Sequence, residues 1–146
     1  MSISCFCDSN LDKPDFKNIQ ETASLVFSSQ NISDYDISVI FVKDDYLSKL
    51  KKKYLNLDHL TDVLAFRLNG MKEKNVDGEI YISLDRAKEN AKTYKEPFEK
   101  EVSRLIIHGC LHLIGFDDQT NREKVLMTKM ENDYLKVANW KDIFGI

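Results

Sequence analysis

Two prolines and five glycines in 146 residues leave little room for linkers, disorder or biased tracts. No run approaches the ~20 apolar residues of a membrane-spanning helix. The opening Met-Ser-Ile-Ser-Cys-Phe-Cys-Asp lacks a basic n-region followed by a long apolar stretch. A cytoplasmic protein with no membrane partner is therefore expected. Three cysteines, Cys5, Cys7 and Cys110, make no even disulfide framework and fit reduced thiols. Cys5 and Cys7 share one face of a strand and read as small buried hydrophobes. A cationic excess is also missing: the net charge is −3, so nothing global advertises nucleic acid, and no DNA partner is expected. Steering of a polyanion would need a local patch. The run Lys49, Lys51, Lys52 and Lys53 is the candidate, although taken alone it better suits a solvated helix face.

What is present is a 42% hydrophobic, 31% charged chain of the size of one globular domain, read as spanning 1–146. Residues 2–7 read as a strand. Pro14 opens a helix to about Ser29, and the β-branched run from Asp36 to Lys43 reads as a buried strand. Asp44 can cap a helix carrying Tyr46, Leu47, Leu50 and Tyr54. Strands over Thr61–Phe66 and Glu79–Leu84 follow, the second preceded by Asp77-Gly78. Asp85 can cap a charged helix to Tyr94, and Pro97 starts the next, with Gly115 as its C′ residue. A last amphipathic helix, Asn121 to Ala138, carries Val125, Leu126, Met130, Tyr134 and Leu135. The order βαβαββααα predicts an α+β, α/β-like domain: a small four-stranded mixed sheet against about five helices. The short link between the third and fourth strands permits a hairpin.

The helix ending at Gly115 carries His108 and His112 four residues apart, so both imidazoles leave one face about a turn apart. That is the spacing of the two-histidine zinc helix. A catalytic zinc takes three protein ligands and keeps a fourth position open. Asp118, three residues past Gly115, can fold back as the third ligand. Spacing alone also allows two core histidines satisfied by backbone or carboxylates. The zinc-protease helix carries a glutamate base right after its first histidine. Here that place is Gly109, which moves no proton and reads otherwise as a point of close approach.

The stretch His108-Gly109-Cys110-Leu111-His112-Leu113-Ile114-Gly115-Phe116-Asp117-Asp118 resembles the signature H-G-x-L-H-L-x-G-[YF]-D-H of the YbeY-type rRNA maturation factors. Thr61-Asp62-Val63-Leu64-Ala65-Phe66 and Gly78-Glu79-Ile80-Tyr81-Ile82-Ser83 match two further elements of that family, in its order. The resemblance implies a single-domain, zinc-dependent endoribonuclease with one Zn²⁺ per chain. It implies partners in rRNA and the ribosomal small subunit, and roles in 16S rRNA 3′-end processing and ribosome quality control. His108, His112 and Asp118 then become the metal ligands, with Asp117 a competitor for the third place.

Two positions depart from the family pattern. Its last histidine is Asp118 here, a competent ligand that adds negative charge and admits harder ions. An arginine that the family carries six residues before the Thr61 position is Leu55. Arg67 or Arg104, with Lys51 and Lys52, then become candidates for substrate binding. Arg104, four residues before His108, faces the ligands and is the catalytic candidate for clamping a phosphate; a salt bridge to Glu101 is its plain alternative. His59 is a candidate proton donor to a leaving oxygen, or a surface residue without a role. Two rival functions remain: an assembly or RNA-binding factor with a structural metal, and a metal-dependent hydrolase of a non-RNA substrate.

Overall fold

Beyond its exposed Asp36, Tyr35–Val42 alternates buried and half-covered residues and is apolar but for Ser38, which suits a strand inside a sheet with layers on both faces. A computed structural model of the chain, which describes residues 2–8, 13–55 and 62–145, places it there. The elements run β1 (Ser2–Cys7), α1 (Phe16–Ser29), β2 (Tyr35–Val42), α2 (Asp44–Leu55), β3 (Val63–Arg67), β4 (Val76–Ser83), α3 (Leu84–Tyr94), α4 (Phe98–Leu113) and α5 (Asn121–Val137). A 3-10 turn, Trp140–Asp142, was not foreseen. The sheet order is β1-β2-β4-β3. β1, β2 and β4 are parallel and β3 is antiparallel to β4, so the expected mixed sheet and hairpin are both present. His59 and Thr61 lie outside the described residues.

Alternation along β2 sends Ile37, Val39 and Phe41 into the main core, shared with Ile19, Phe27, Ile106 and Leu111 of α1 and α4. Val42 joins Leu47 and Leu64 in a smaller cluster beneath α2, with Ile40 packed on it. The core helix α4 therefore lies on one face of the sheet and α2 on the other. Two glycines set how closely α4 approaches β4. A Cβ on Gly109 would stand 2.6 Å from Ile80 Cγ2, and one on Gly78 2.8 Å from a methyl of Leu113. Asp77-Gly78 is accordingly not a turn. It continues β4 in register with Asp36 and Ile37, and the strand begins at Val76, three residues before the expected Glu79.

Local chemistry fixes the ends of the helices. Ser83, rather than Asp85, caps α3 by accepting from the Arg86 amide at 3.1 Å. Asp44 opens α2 and holds Arg86 at 3.3 Å. Thr120 and Glu123 form a reciprocal capping box on α5. Gly115 takes φ +107° just past α4, as a C′ glycine does, and its amide donates to the His112 carbonyl at 3.1 Å. The α5 stripe differs from expectation: Met127, Glu131 and Leu135 are buried, while Val125 and Leu126 are exposed. Cys5 and Cys7 are half-covered rather than buried. Burial pushes the Cys110 thiol up to about 12, which leaves it unreactive. No described helix is long and apolar enough to cross a membrane.

Candidate metal centre

Residues 100, 104, 108 and 112 recur every fourth position along α4 and make one ridge on its surface. The C-terminal half of that ridge does not enter the core. It forms one wall of a cleft of about 540 Å³, with β3 opposite and Asp117 and Asp118 closing one end. His108 and His112 both line the cleft. His112 is exposed and His108 largely covered, so neither is a core histidine.

His108 is tied down from α5. Its Nδ1 lies 2.7 Å from Glu131 Oε2, and a carboxylate can only accept, so Nδ1 carries the proton. Nε2 is left on the cleft side, 3.5 Å from Asp118 Oδ2, and carries the lone pair whenever the ring is neutral. Burial by itself would lower the His108 pKa. The hydrogen bond and charge of Glu131, with Asp118 behind them, outweigh it and hold the pKa above the usual histidine value. Glu131 also meets Arg104 Nη1 at 3.3 Å through its other oxygen. Arg104 Nε in turn lies 3.6 Å from Glu101, and the Asn90 amide donates to both Glu101 (3.3 Å) and Asp62 (2.9 Å). Asp62 belongs to the second motif, so a polar chain joins the motifs of β3 and α4 through α3 and α5. Burial pushes the Glu101 carboxyl up, against the opposing pull of Asn90 and Arg104.

The candidate residues fare differently. His108, His112, Asp117, Asp118, Arg104 and Lys51 all line the cleft; Lys52 does not. Asp118 is the carboxylate brought to His108, whereas Asp117 Oδ1 accepts from the Asp118 amide at 3.1 Å. Arg104 lies on the cleft wall and also makes the Glu101 pair. Arg67 lies in an adjoining cavity, where its guanidinium donates to the carbonyls of Leu113 (2.8 Å), Asn75 (2.9 Å) and Gly70 (3.2 Å). It ties the loop after β3 to the end of α4. Glu131 escaped sequence reasoning, although an acid on the apolar stripe of α5 was its signal, since a buried carboxylate demands a partner.

The donor set suits a divalent cation. Asp62, Glu101, Asp117, Asp118 and Glu131 line the cleft with Lys51 and Arg104, leaving three net negative charges with the imidazoles neutral. Two ligands about 2.0–2.1 Å from one tetrahedral zinc stand ~3.3 Å apart, close to the His108–Asp118 separation. Histidine held by a carboxylate through its far nitrogen is the usual support of a metal ligand. Among the described residues, no three His, Cys, Asp or Glu side chains close into a finished cage. His108 and Asp118 are paired, and His112 stands one turn along the same wall.

A family model described as Endoribonuclease YbeY matches residues 7–139. Curated relatives named Endoribonuclease YbeY include one from Flavobacterium psychrophilum, 40% identical over 87% of this chain and 93% of its own. Another, from Karelsulcia muelleri, is 42% identical over 75% of this chain and 77% of its own. A Thermotoga maritima protein solved in solution superposes with a TM-score of 0.66 at 28% identity, covering 97% of this chain and 91% of that one.

Proposed function

This chain belongs to the endoribonuclease YbeY family, and on that premise we propose that it hydrolyses RNA phosphodiester bonds at a single zinc ion held by His108, His112 and Asp118. Its substrate in this reading is ribosomal RNA, at the 3′ end of 16S rRNA in the small subunit, and its compartment is the cytoplasm. The observation that carries the reading is the 2.7 Å His108–Glu131 bond, which leaves Nε2 facing Asp118 in the cleft that His112 also lines.

A bound zinc ion supplies a water of lowered pKa and polarises a phosphoryl oxygen. The chain's own residues do the remaining work. Glu131 fixes the tautomer and ring orientation of His108. Arg104 holds Glu131 in turn and presents a guanidinium on the wall where a phosphate would lie. Lys51, nine-tenths covered on the opposite side, adds a second positive charge. Gly109, where the protease helix carries its glutamate base, supplies no group that moves a proton and packs on Ile80. Asp118 in place of imidazole makes the ion less electrophilic and widens the choice of metal toward harder ions. The exposure of His112 supports an open coordination position, hence catalysis rather than a structural metal.

The test is cleavage of a structured rRNA fragment by the wild-type protein, by His112→Ala and by protein treated with EDTA. Loss of cleavage in the last two supports the assignment. Equal activity in all three overturns it.

A further inference from the structure

The cleft lining is acidic: even with the two positive charges of a bound zinc ion, one net negative charge is left facing the phosphates that flank a scissile bond. The opposite balance is found next door. A groove of about 760 Å³ runs between α4, α5 and the Trp140–Asp142 turn, and Arg104 belongs to its wall as well as to the cleft's. Lys100, Lys136 and Lys141 face it with Arg104, whose charge is already met by Glu101 and Glu131; against Glu96, the three lysines leave two net positive charges among the described lining residues. Its floor carries Trp140, the only tryptophan of the chain, with Lys100 Nζ 5.8 Å and Lys141 Nζ 5.7 Å from the ring centroid. The α4 ridge links the two cavities: Lys100 lies in the groove, Arg104 in both, and His108 and His112 in the cleft. From Lys100 to His112 the ridge spans ~18 Å along the helix axis.

We propose that this groove is a second RNA subsite, which holds a single-stranded segment flanking the cleaved bond. A base takes the place over the Trp140 ring that the Lys100 and Lys141 ammoniums hold in the free protein, and these lysines, with Lys136, move to the phosphates. An aromatic platform beside lysines is what sequence-tolerant recognition of single strands uses. Two of those lysines also meet carboxylates, Lys100 with Glu96 at 3.3 Å and Lys136 with Asp133 at 3.8 Å. Such exposed pairs hold weakly and give way to a phosphate. The proposal rests on the nuclease reading for its substrate class. Its chemistry favours RNA over an acidic peptide because the groove offers a π face together with charge and continues into the cleft.

The sole tryptophan reports on the groove directly. Metal-free full-length protein is titrated with a fluorescein-labelled twelve-nucleotide single-stranded RNA, reading label anisotropy and Trp140 emission together. Saturable quenching in step with anisotropy is expected, whereas a dinucleotide leaves the emission unchanged. The double change Lys136→Glu/Lys141→Glu, on exposed side chains, should weaken binding by about tenfold or more at low salt and flatten the salt slope by roughly 1 to 2. Full binding with silent Trp140 emission overturns the subsite, as does unchanged affinity in the double variant or equal quenching by polyglutamate. Quenching by RNA in a protein that cleaves none sinks the nuclease reading and leaves the subsite standing. Cleavage by metal-loaded protein whose Trp140 stays silent does the reverse.

Discussion

His108 of α4 and Glu131 of α5 stand 23 residues apart in the chain, yet are joined by a 2.7 Å hydrogen bond that decides which imidazole nitrogen faces the cleft. Glu131 is only 6% exposed, and its second oxygen is taken by Arg104. A buried carboxylate so placed suits the support of a metal-ligating imidazole, the role proposed for it above.

Removing that support should loosen the metal. Glu131→Ala is expected to lower zinc affinity by about 10- to 100-fold in a chelator competition titration. Glu131→Gln should lose less, because its amide oxygen still accepts from Nδ1. Equal affinity in all three proteins would show that His108 needs no partner.

Gly109→Ala tests the close approach of α4 to β4. With its Cβ 2.6 Å from Ile80 Cγ2, the change should cost about 1–3 kcal/mol in denaturant unfolding. Combining it with Ile80→Ala should cost less than the sum of the two single changes.

Arg67→Lys should lower stability by about 1–3 kcal/mol, since a lysine cannot reach the carbonyls of Leu113, Asn75 and Gly70 together. Thermal or denaturant melts of the metal-free protein read the effect without any contribution from catalysis.

Glu101 makes stability depend on pH. Its carboxyl is raised, chiefly by burial, above the ordinary value of 4.5, so the folded state holds the proton more tightly than the unfolded chain. Its contribution is therefore fully present below about 4.5 and lost as pH rises through the raised value. The stability of the wild type relative to Glu101→Gln should increase as pH falls across that window. A difference that is flat with pH would contradict the burial argument.

Much of this was legible in the chain because local rules governed it. The β-branched run of β2, Pro97 before α4, Gly115 after it and the four-residue histidine spacing each carry their own physics. What failed was tertiary. Asp77-Gly78 has the composition of a turn, but Gly78 is there to admit Leu113, and only the packed sheet shows it. Val125 and Leu126 look like core residues, yet the stripe that packs is set by Glu131, which must reach His108 and Arg104. The place that Leu55 holds left Arg67 or Arg104 as substitutes, and only the fold shows that the Arg67 guanidinium also donates to the loop that precedes β4 while Arg104 lines the cleft. The groove beside the cleft was invisible because its residues come from α4, α5 and the chain's last turn.

Asp118 is the residue on which the ligand set turns. The decisive measurement is the zinc-binding isotherm of the wild type beside His112→Ala, Asp118→Ala and Asp118→His. One ion per chain is predicted for the wild type, with affinity falling in both alanine variants and kept or raised in Asp118→His. Four superimposable isotherms would contradict the site.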